Sequence, residues 1–526
     1  MPRDRMKGLR SPALLSCKTE IFAMPPACHP KSDPQVNTRR ACHSLLFRGA
    51  AILLGLSLLV VLELALRLCG VQPLPDSQDP YVSFRSDATL FHKAPSGTSY
   101  QTAPERIDFF RPQSFPVHKS ADTFRIFVLG GSTVQGRPYA VETSFSTWLE
   151  INLQAAQPER NFQVINCGGV SYASYRLVPI LRETLQYQPD LFIVYTGHNE
   201  FLEERSYGDL KQSTPIYLTV QNSLRDLRIA SLMQRILPGV REDHMNSNKT
   251  VLPADVNARL DFQKGLEGYH RDPKTRRGII DHFKYNVRQM ILLAKQADIP
   301  LVLVNPVSNL KNCPPFKCEF ENGLSQEKQS QLMACWNAAN DCEWSEADRK
   351  MQLWEEAVHI DHQHAGLLYS VGKACEHLQR FPEAKSWLTK AKEEDICPLR
   401  ILEPMHDSLF DLSQEFNVPL VDIRSLIEQQ TPDGIPGSEW LVDHVHPSIE
   451  GHQLIADALF ENLVSLQFFP PPANWQSNRD QLRQAHLNSL PEEYFLRGAL
   501  RSRRLEGWSR GRSQKIPPDS NQSTVQ

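Results

Sequence analysis

The sequence predicts a three-layer, doubly wound α/β sandwich: a parallel sheet with helices on both faces, interrupted by an inserted α-helical module and preceded by one transmembrane helix. Three observations predict it. Four short apolar runs, FRIFVLG (124–130), FQVINCG (162–168), LFIVYTG (191–197) and LVLVNPV (301–307), each end at a turn and read as buried parallel strands. The stretches between them, such as FSTWLEINLQAAQ and YRLVPILRETLQYQ, carry apolar residues at helical spacing, and such alternation gives a parallel sheet covered on both sides. Upstream stands GAAILLGLSLLVVLELALRL, from Gly49 to Leu68, about the 20 residues that cross a bilayer core.

The first element is a tail, 1–48, rich in Pro, Arg, Lys and Ser and without sustained period. The anchor, 49–68, is broken only by Glu63 and Arg67, one helical turn apart near its end, where they pair on one face. A cleaved signal peptide is the main competing reading, with an unusually long charged lead, and a buried core helix is the other. Arg39, Arg40 and Arg48 precede the span while Asp76 and Asp79 follow it, so the positive-inside bias puts the N-terminus in the cytosol and the rest of the chain in the lumen. The expectation is a single-pass protein of the secretory pathway, endoplasmic reticulum or Golgi. Sequons at Asn248 and Asn521 fit that topology as glycosylation sites.

Residues 73–120 hold many aromatics without a period and are expected to wrap onto the domain or line its cleft. The sandwich then occupies 121–310 and, after a fifth short run, PLVDI (419–423), resumes over 399–470. The gap is too long for one loop; 311–398 turns helical, Cys-bearing and rich in Glu, Lys, Trp and Ala, as an inserted module does. Its HAGLLYSVGKACEHLQRFPEAKSWLTKAKEED resembles a tetratricopeptide repeat, with Gly372, Phe381, Ala384 and Ala391 at the small and aromatic positions. One such fragment is too short to stand alone and is expected to pack on the sandwich as a lid, wall or partner surface. Residues 471–526 read as a docked helix and a basic tail, contact of its arginines with a membrane surface being the rival reading.

Of eleven cysteines, Cys313, Cys318, Cys335 and Cys342 cluster in the insertion. In an oxidising lumen the simplest pairing is Cys313 with Cys318 and Cys335 with Cys342; zinc needs more regular short pairs. HIDHQH (359–364) reads as a solvated helix face, so no metal or cofactor is expected. With a formal net charge of -3 the chain offers no electrostatic case for nucleic acid as a partner.

The chemistry-bearing residues fall at strand ends. GGSTVQG puts Ser132 just past the first strand, where open parallel sheets place ligand sites, although Gly-Gly-Ser also makes ordinary capped turns. TGHNE puts Asn199 beyond the third strand, as an amide donor for an oxyanion or as a loop tie. In VDHVHPSIEGH, Asp443 and His446 are spaced so that the carboxylate can orient the imidazole, with His444 between them as a decoy.

In their order and placement these blocks resemble the SGNH (GDSL-like) hydrolases: GGST for the Gly-Asp-Ser block, a glycine-bearing second block, GHNE for Gly-x-Asn, and DHVHP for Asp-x-x-His. The resemblance covers roughly 124–466 without the insertion and implies a flavodoxin-like α/β/α fold. It also implies roles: Ser132 as nucleophile, His446 as general base then acid, Asp443 as its orienter, and an oxyanion hole from the Ser132 N–H, Asn199 and a third donor. If Asn166 is the block-two asparagine, that third donor is Ser171 where the family has glycine, and Gly131 stands for the usual aspartate. No Gly-x-Ser-x-Gly elbow of the α/β-hydrolases is at the site.

The expected function is a serine esterase or an acyl or acetyl transferase acting on an oxygen ester of a lipid or acylated sugar, without metal or cofactor. The alternative class is a catalytically silent scaffold that keeps the fold and binds protein partners through the insertion. The intact Ser, Asn, Asp and His set favours the enzyme, since binding alone needs none of the four.

Overall fold

The computed structural model describes residues 34–509, apart from 70, 72–74, 77–78, 86–87, 206–226, 230–231, 233–248 and 260–264. The sequons at Asn248 and Asn521 lie outside the described residues. Two compact units divide at residues 71 and 72.

The first unit holds α1 (Pro34–Leu68). Its stretch Phe47–Leu68 is 22 residues long with mean hydropathy 2.4, and its valines and all its leucines but Leu66 stand exposed. Arg67 Nε donates to Glu63 Oε1 at 2.9 Å, the one-turn pair the spacing predicts. The helix begins fifteen residues before the apolar run, where no helical period is visible. No proline or glycine interrupts residues 35–48, so a helix nucleated in the apolar run extends upstream at little cost.

The second unit opens with β1 (Val82–Phe84) and an antiparallel sheet of β2 (Phe91–Lys93), β3 (Ser99–Thr102) and β4 (Ser114–Pro116). The main chain of the sandwich follows: β5 (Thr123–Gly130), α2 (Ser132–Gln135), α3 (Phe145–Ala156), β6 (Asn161–Gly168), α4 (Ser174–Thr184) and β7 (Leu191–Tyr195). Next come β8 (Thr250–Leu252), which pairs with β1, then α5 (Pro273–Gln296) and β9 (Leu301–Asn305). The helical insertion, α6 (Gln326–Asp341), α7 (Ala347–Ile360), α8 (Ala365–His377) and α9 (Phe381–Glu393), interrupts the crossover to α10 (Glu403–Phe416) and β10 (Leu420–Asp422). The chain closes with α11 (Ile423–Gln430), α12 (Ile449–Ser465), α13 (Trp475–Ser489) and α14 (Glu492–Ser509).

All five strands of the main sheet run parallel in the order β10-β9-β7-β5-β6. That is the flavodoxin-like order, whose direction of winding reverses between β5 and β7 and opens a crevice at their carboxyl ends. β5, β7 and β9 are buried on both faces, which is why their sequences are continuous apolar runs, while β6 is open at its start and β10 at both ends. Phe127 and Leu129 of β5 face one core with Phe283, Val287 and Met290 of α5, and Ile126 and Val128 face the other with Trp148 of α3 and Phe460 of α12. Burying each such side chain contributes about 1.5–3 kcal/mol.

The lead segment is part of this core. Phe91, Phe110 and Phe115 are buried in it, the Glu183 carboxylate of α4 accepts from Leu90 N (2.6 Å) and Phe91 N (2.9 Å), and fully buried Arg125 donates to Pro116 O at 2.9 Å. The C-terminal segment forms two helices, because Pro491 lacks the N–H to continue α13.

In the insertion, α6 with α7 and α8 with α9 form two helical hairpins around Leu332, Trp354, Leu367 and Leu388. A Cβ on Gly372 would lie 2.7 Å from Leu388 Cγ, so glycine is what lets α8 and α9 approach. The expected disulfides are absent: no disulfide joins Cys313, Cys318, Cys335 or Cys342. Cys335 lies in α6 and Cys342 at its C-cap, seven residues or about 10 Å along the axis, beyond the roughly 7 Å Cα separation a disulfide spans. Cys318 packs beside Gly366 and Trp336, whereas Cys313 faces the Arg400 side. In HIDHQH, His364 caps α8, its Nδ1 accepting from Leu367 N at 3.2 Å.

Candidate active site

β5 ends at Gly130, and Ser132 opens α2 at the crevice where the winding reverses. Glycine is required around this turn by close backbone approach: a Cβ on Gly168 would sit 2.2 Å from Gln135 N. On the far side of the crevice, Ser448 caps α12 by accepting from Gly451 N, and Val442 N donates to His446 O (2.9 Å), folding residues 441–447 into a tight turn. That turn aims His446 at α2. His446 Nε2 and Ser132 Oγ are 2.7 Å apart, and His446 Nδ1 and Asp443 Oδ2 are 2.6 Å apart. Asp443 Oδ1 accepts from Val445 N and His446 N, each at 2.9 Å, so the carboxylate shapes the turn and orients the ring together. With Nδ1–H donated to the carboxylate, Nε2 is the acceptor for the serine proton. His444 points away: Nε2 donates to Pro314 O at 2.9 Å and the ring stacks on Phe316 at 4.2 Å.

The other expected residues gather beside Ser132. A Cβ on Gly131 would meet Asn199 Nδ2 at 3.0 Å and Tyr172 O at 3.2 Å, so the absent side chain of the usual aspartate leaves room for the Asn199 amide. Asn199 and Ser171 both hold left-handed backbone, φ +69° and +62°, which costs a non-glycine residue about 1–2 kcal/mol. Ser171 thus adopts a conformation more natural to glycine. Among the described residues, the Ser132 and Ser171 N–H groups and Asn199 Nδ2 donate to nothing. Asn166 holds block two to block one, its Nδ2 donating to Val134 O (2.5 Å) and its Oδ1 accepting from Gly168 N (3.0 Å).

Both ends of the insertion grip this edge. Asn199 N donates to Leu399 O (3.3 Å) and Ile401 N to His198 Nδ1 (3.2 Å), while Arg400 donates to Asn309 O (3.0 Å) and Cys313 O (2.9 Å). The Asp395 carboxylate accepts from Phe316 N (2.8 Å) and Lys317 N (3.1 Å), closing the strap that carries Phe316 onto His444. Two cavities, of 440 and 420 Å³, open beside the loop after β7 and beside the lead segment; Ser132 lines neither. The hydrogen-bond geometry, not cavity size, therefore marks the site.

Burial would raise Asp443, but the neighbouring His446 charge and hydrogen bond and two backbone N–H groups outweigh it and hold the carboxyl down to about 2. Burial, with the His446 charge, depresses His198 and His452 to about 3; burial, with the Arg400 charge, does the same to His444. Burial pushes Glu200 up to about 7 against the lowering influence of Arg205 and Ser174. The three histidines stay neutral when folded and take up protons when unfolded, so their contribution is complete above pH 6.5 and lost as pH falls toward 3. Glu200 acts oppositely, its contribution being lost as pH rises from 4.5 to about 7. Burial depresses His282, His364 and His406 as well and raises Glu150, Asp281 and Asp395, so six histidines act against four carboxyls and stability should fall as the pH drops from 6.5 to 5. Urea midpoints at pH 7.5, 6 and 5 test this; a midpoint that holds or rises on acidification contradicts it.

Sequence reasoning did not single out His198, Glu200 or Gln135 at this site. The signal for Glu200 was present, an acid adjoining Asn199 in GHNE, but its partner Ser174 is distant in sequence.

No family model matches the chain, and neither does any curated protein. Solved structures do. A putative lipolytic protein of the G-D-S-L family from Desulfitobacterium hafniense is 12% identical over 64% of this chain and 99% of its own, with a TM-score of 0.29. A catalytic mutant of an acetylxylan esterase from Geobacillus stearothermophilus is 14% identical over 66% and 95%, and a lipase/acylhydrolase from Enterococcus faecalis 13% identical over 66% and 98%, each with a TM-score of 0.30. Scores this low add no weight of their own. In sheet order and in the placing of its four blocks along the crevice, the chain resembles the SGNH hydrolases.

Proposed function

We propose that this chain is a membrane-anchored serine esterase, or acyl or acetyl transferase, acting on an oxygen ester through Ser132, His446 and Asp443. The observation that carries this reading is the hydrogen-bonded row Ser132 Oγ, His446, Asp443, at 2.7 and 2.6 Å, beside three partnerless donors. Ser132 Oγ attacks the ester carbonyl as His446 Nε2 takes its proton. The Ser132 and Ser171 N–H groups and Asn199 Nδ2 hold the oxyanion. His446 then returns the proton to the leaving alkoxide as the acyl–oxygen bond breaks, leaving the acyl on Ser132. A second hydroxyl, from water in hydrolysis or from an acceptor alcohol in transfer, attacks the acyl carbonyl as His446 takes its proton; the acyl–Ser132 bond then breaks and His446 returns that proton to Ser132 Oγ.

The insertion, whose hairpins we read as tetratricopeptide-like, leads into Leu399 and Ile401, which bond the Asn199 loop at the crevice, and a crevice kept drier by this neighbour would favour transfer. We read the apolar helix as the anchor and, from the positive-inside bias, the catalytic unit as lumenal, a setting in which lipid esters fit as substrates. Acylated sugars fit the same chemistry.

Covalent labelling of the full chain in detergent by a fluorophosphonate tests the reading. Labelling that disappears in both Ser132→Ala and His446→Ala is expected. A folded wild-type protein that never labels would move the chain to the binding proteins, with the insertion as its partner surface.

A further inference from the structure

We propose that Glu200 is a positioning residue that locks the loop of Asn199 to the loop of Ser171, holding two oxyanion donors in register through Ser174. The proposal rests on the catalytic reading above. Glu200 adjoins Asn199, and Ser174 follows Ser171 by three residues at the start of α4. Glu200 Oε1 accepts from Ser174 N at 2.7 Å and Oε2 from Ser174 Oγ at 3.0 Å, with Glu200 1% exposed and Ser174 fully buried. The pair is tied outward on both sides: Asn286 Nδ2 of α5 donates to Ser174 Oγ at 3.2 Å, and Arg205 donates to Glu200 O.

A helix needs acceptors for its first N–H groups, and a Ser, Thr, Asp or Asn at the N-cap is the simple local solution. Here the N-cap is Ala173, which has no side chain to offer, and the acceptor comes from another loop 26 residues away. Burying a carboxylate for this purpose is costly, and a local cap would serve the helix as well. What the local cap cannot do is join the two loops. Both carry a non-glycine residue in left-handed backbone, a conformation that persists only where surrounding contacts impose it. Gly131 supplies the third side of the arrangement, since a Cβ there would crowd the Asn199 amide at 3.0 Å.

A capping role and a positioning role predict different kinetics. In the full chain, with p-nitrophenyl acetate as probe, Glu200→Ala should lower kcat about 10- to 100-fold, part of the loss seen when an oxyanion donor is removed, with KM within about threefold. Glu200→Gln, which keeps the shape and an acceptor for Ser174 N, should retain kcat within about threefold. Adding Ala173→Ser to Glu200→Ala returns a local cap, and should recover thermal stability without recovering kcat. The proposal is overturned if folded Glu200→Ala keeps its kcat, if the loss falls on KM, or if the local cap restores turnover. Should Glu200→Ala not fold, Ser174→Ala decides: a threefold to tenfold loss of kcat supports the lock and an unchanged kcat refutes it. Full turnover by Ser132→Ala would instead overturn the catalytic reading itself, which keeps the two failures apart.

Discussion

Ser132→Ala is expected to lower kcat for an ester substrate by roughly 10⁶-fold while leaving the fold intact, because the change removes the attacking oxygen and little else. The serine hydroxyl has His446 Nε2 as its hydrogen-bond partner, at 2.7 Å, and α2 is only four residues long, so loss of one hydrogen bond costs about 1 kcal/mol. His446→Ala should cost a similar factor, and the double variant little more, since nucleophile and base act as one unit. Initial rates over a substrate range, with thermal melts of each variant, make the check. Additive losses would mean that the two residues do not share a step, and a Ser132→Ala enzyme with measurable kcat near wild type would remove Ser132 from the chemistry.

Asp443→Asn is expected to lower kcat about 10⁴-fold with a melting temperature close to wild type. The carboxylate has two duties on two oxygens. Oδ1 accepts the Val445 and His446 N–H groups, and an amide oxygen can do the same, so the turn keeps its shape. Oδ2 accepts His446 Nδ1–H at 2.6 Å, and there an amide N–H opposes a ring N–H. The imidazole must then carry its proton on Nε2, the atom that has to receive the serine proton. Since Asp443 is held down to about 2, the wild-type carboxylate stays charged across the working range, and the loss should be uniform with pH rather than confined to one limb. A pH–rate profile of the variant decides this; recovery of full kcat at high pH would place the defect elsewhere.

The parts of this fold that were legible are those whose burial is written along the chain. β5, β7 and β9 match the apolar runs because a strand covered on both faces has no polar side to interrupt it; β6 matches over its buried half, and β10 through the short run PLVDI. β1 to β4 and β8 were not legible: three or four residues each, they stand in no apolar run, and what fixes them is the core beneath them. At the site, motif order brought forward Ser132, Asn199, Asp443 and His446 and set His444 aside. Spacing failed for the cysteines, because Cys335 and Cys342 are close in number yet separated by the rise of α6. It was silent on Ser174 and Glu200, a pair made by the crossing of two distant loops.

The lead segment bears on where the smallest self-sufficient unit begins. Phe109 O accepts both Val170 N (2.9 Å), beside Ser171, and Gln135 Nε2 (2.8 Å), at the end of the helix that Ser132 opens. Gln113 meets Asn166 in both directions, receiving its N–H at 2.9 Å and donating to its carbonyl at 2.5 Å. During synthesis this brace leaves the ribosome before β5 does, but it is fixed only once the core beneath it has formed. A shortened chain beginning at the first strand of the sandwich would be born without it, and a soluble form meant to keep the crevice should instead be cut upstream, between the apolar helix and β1.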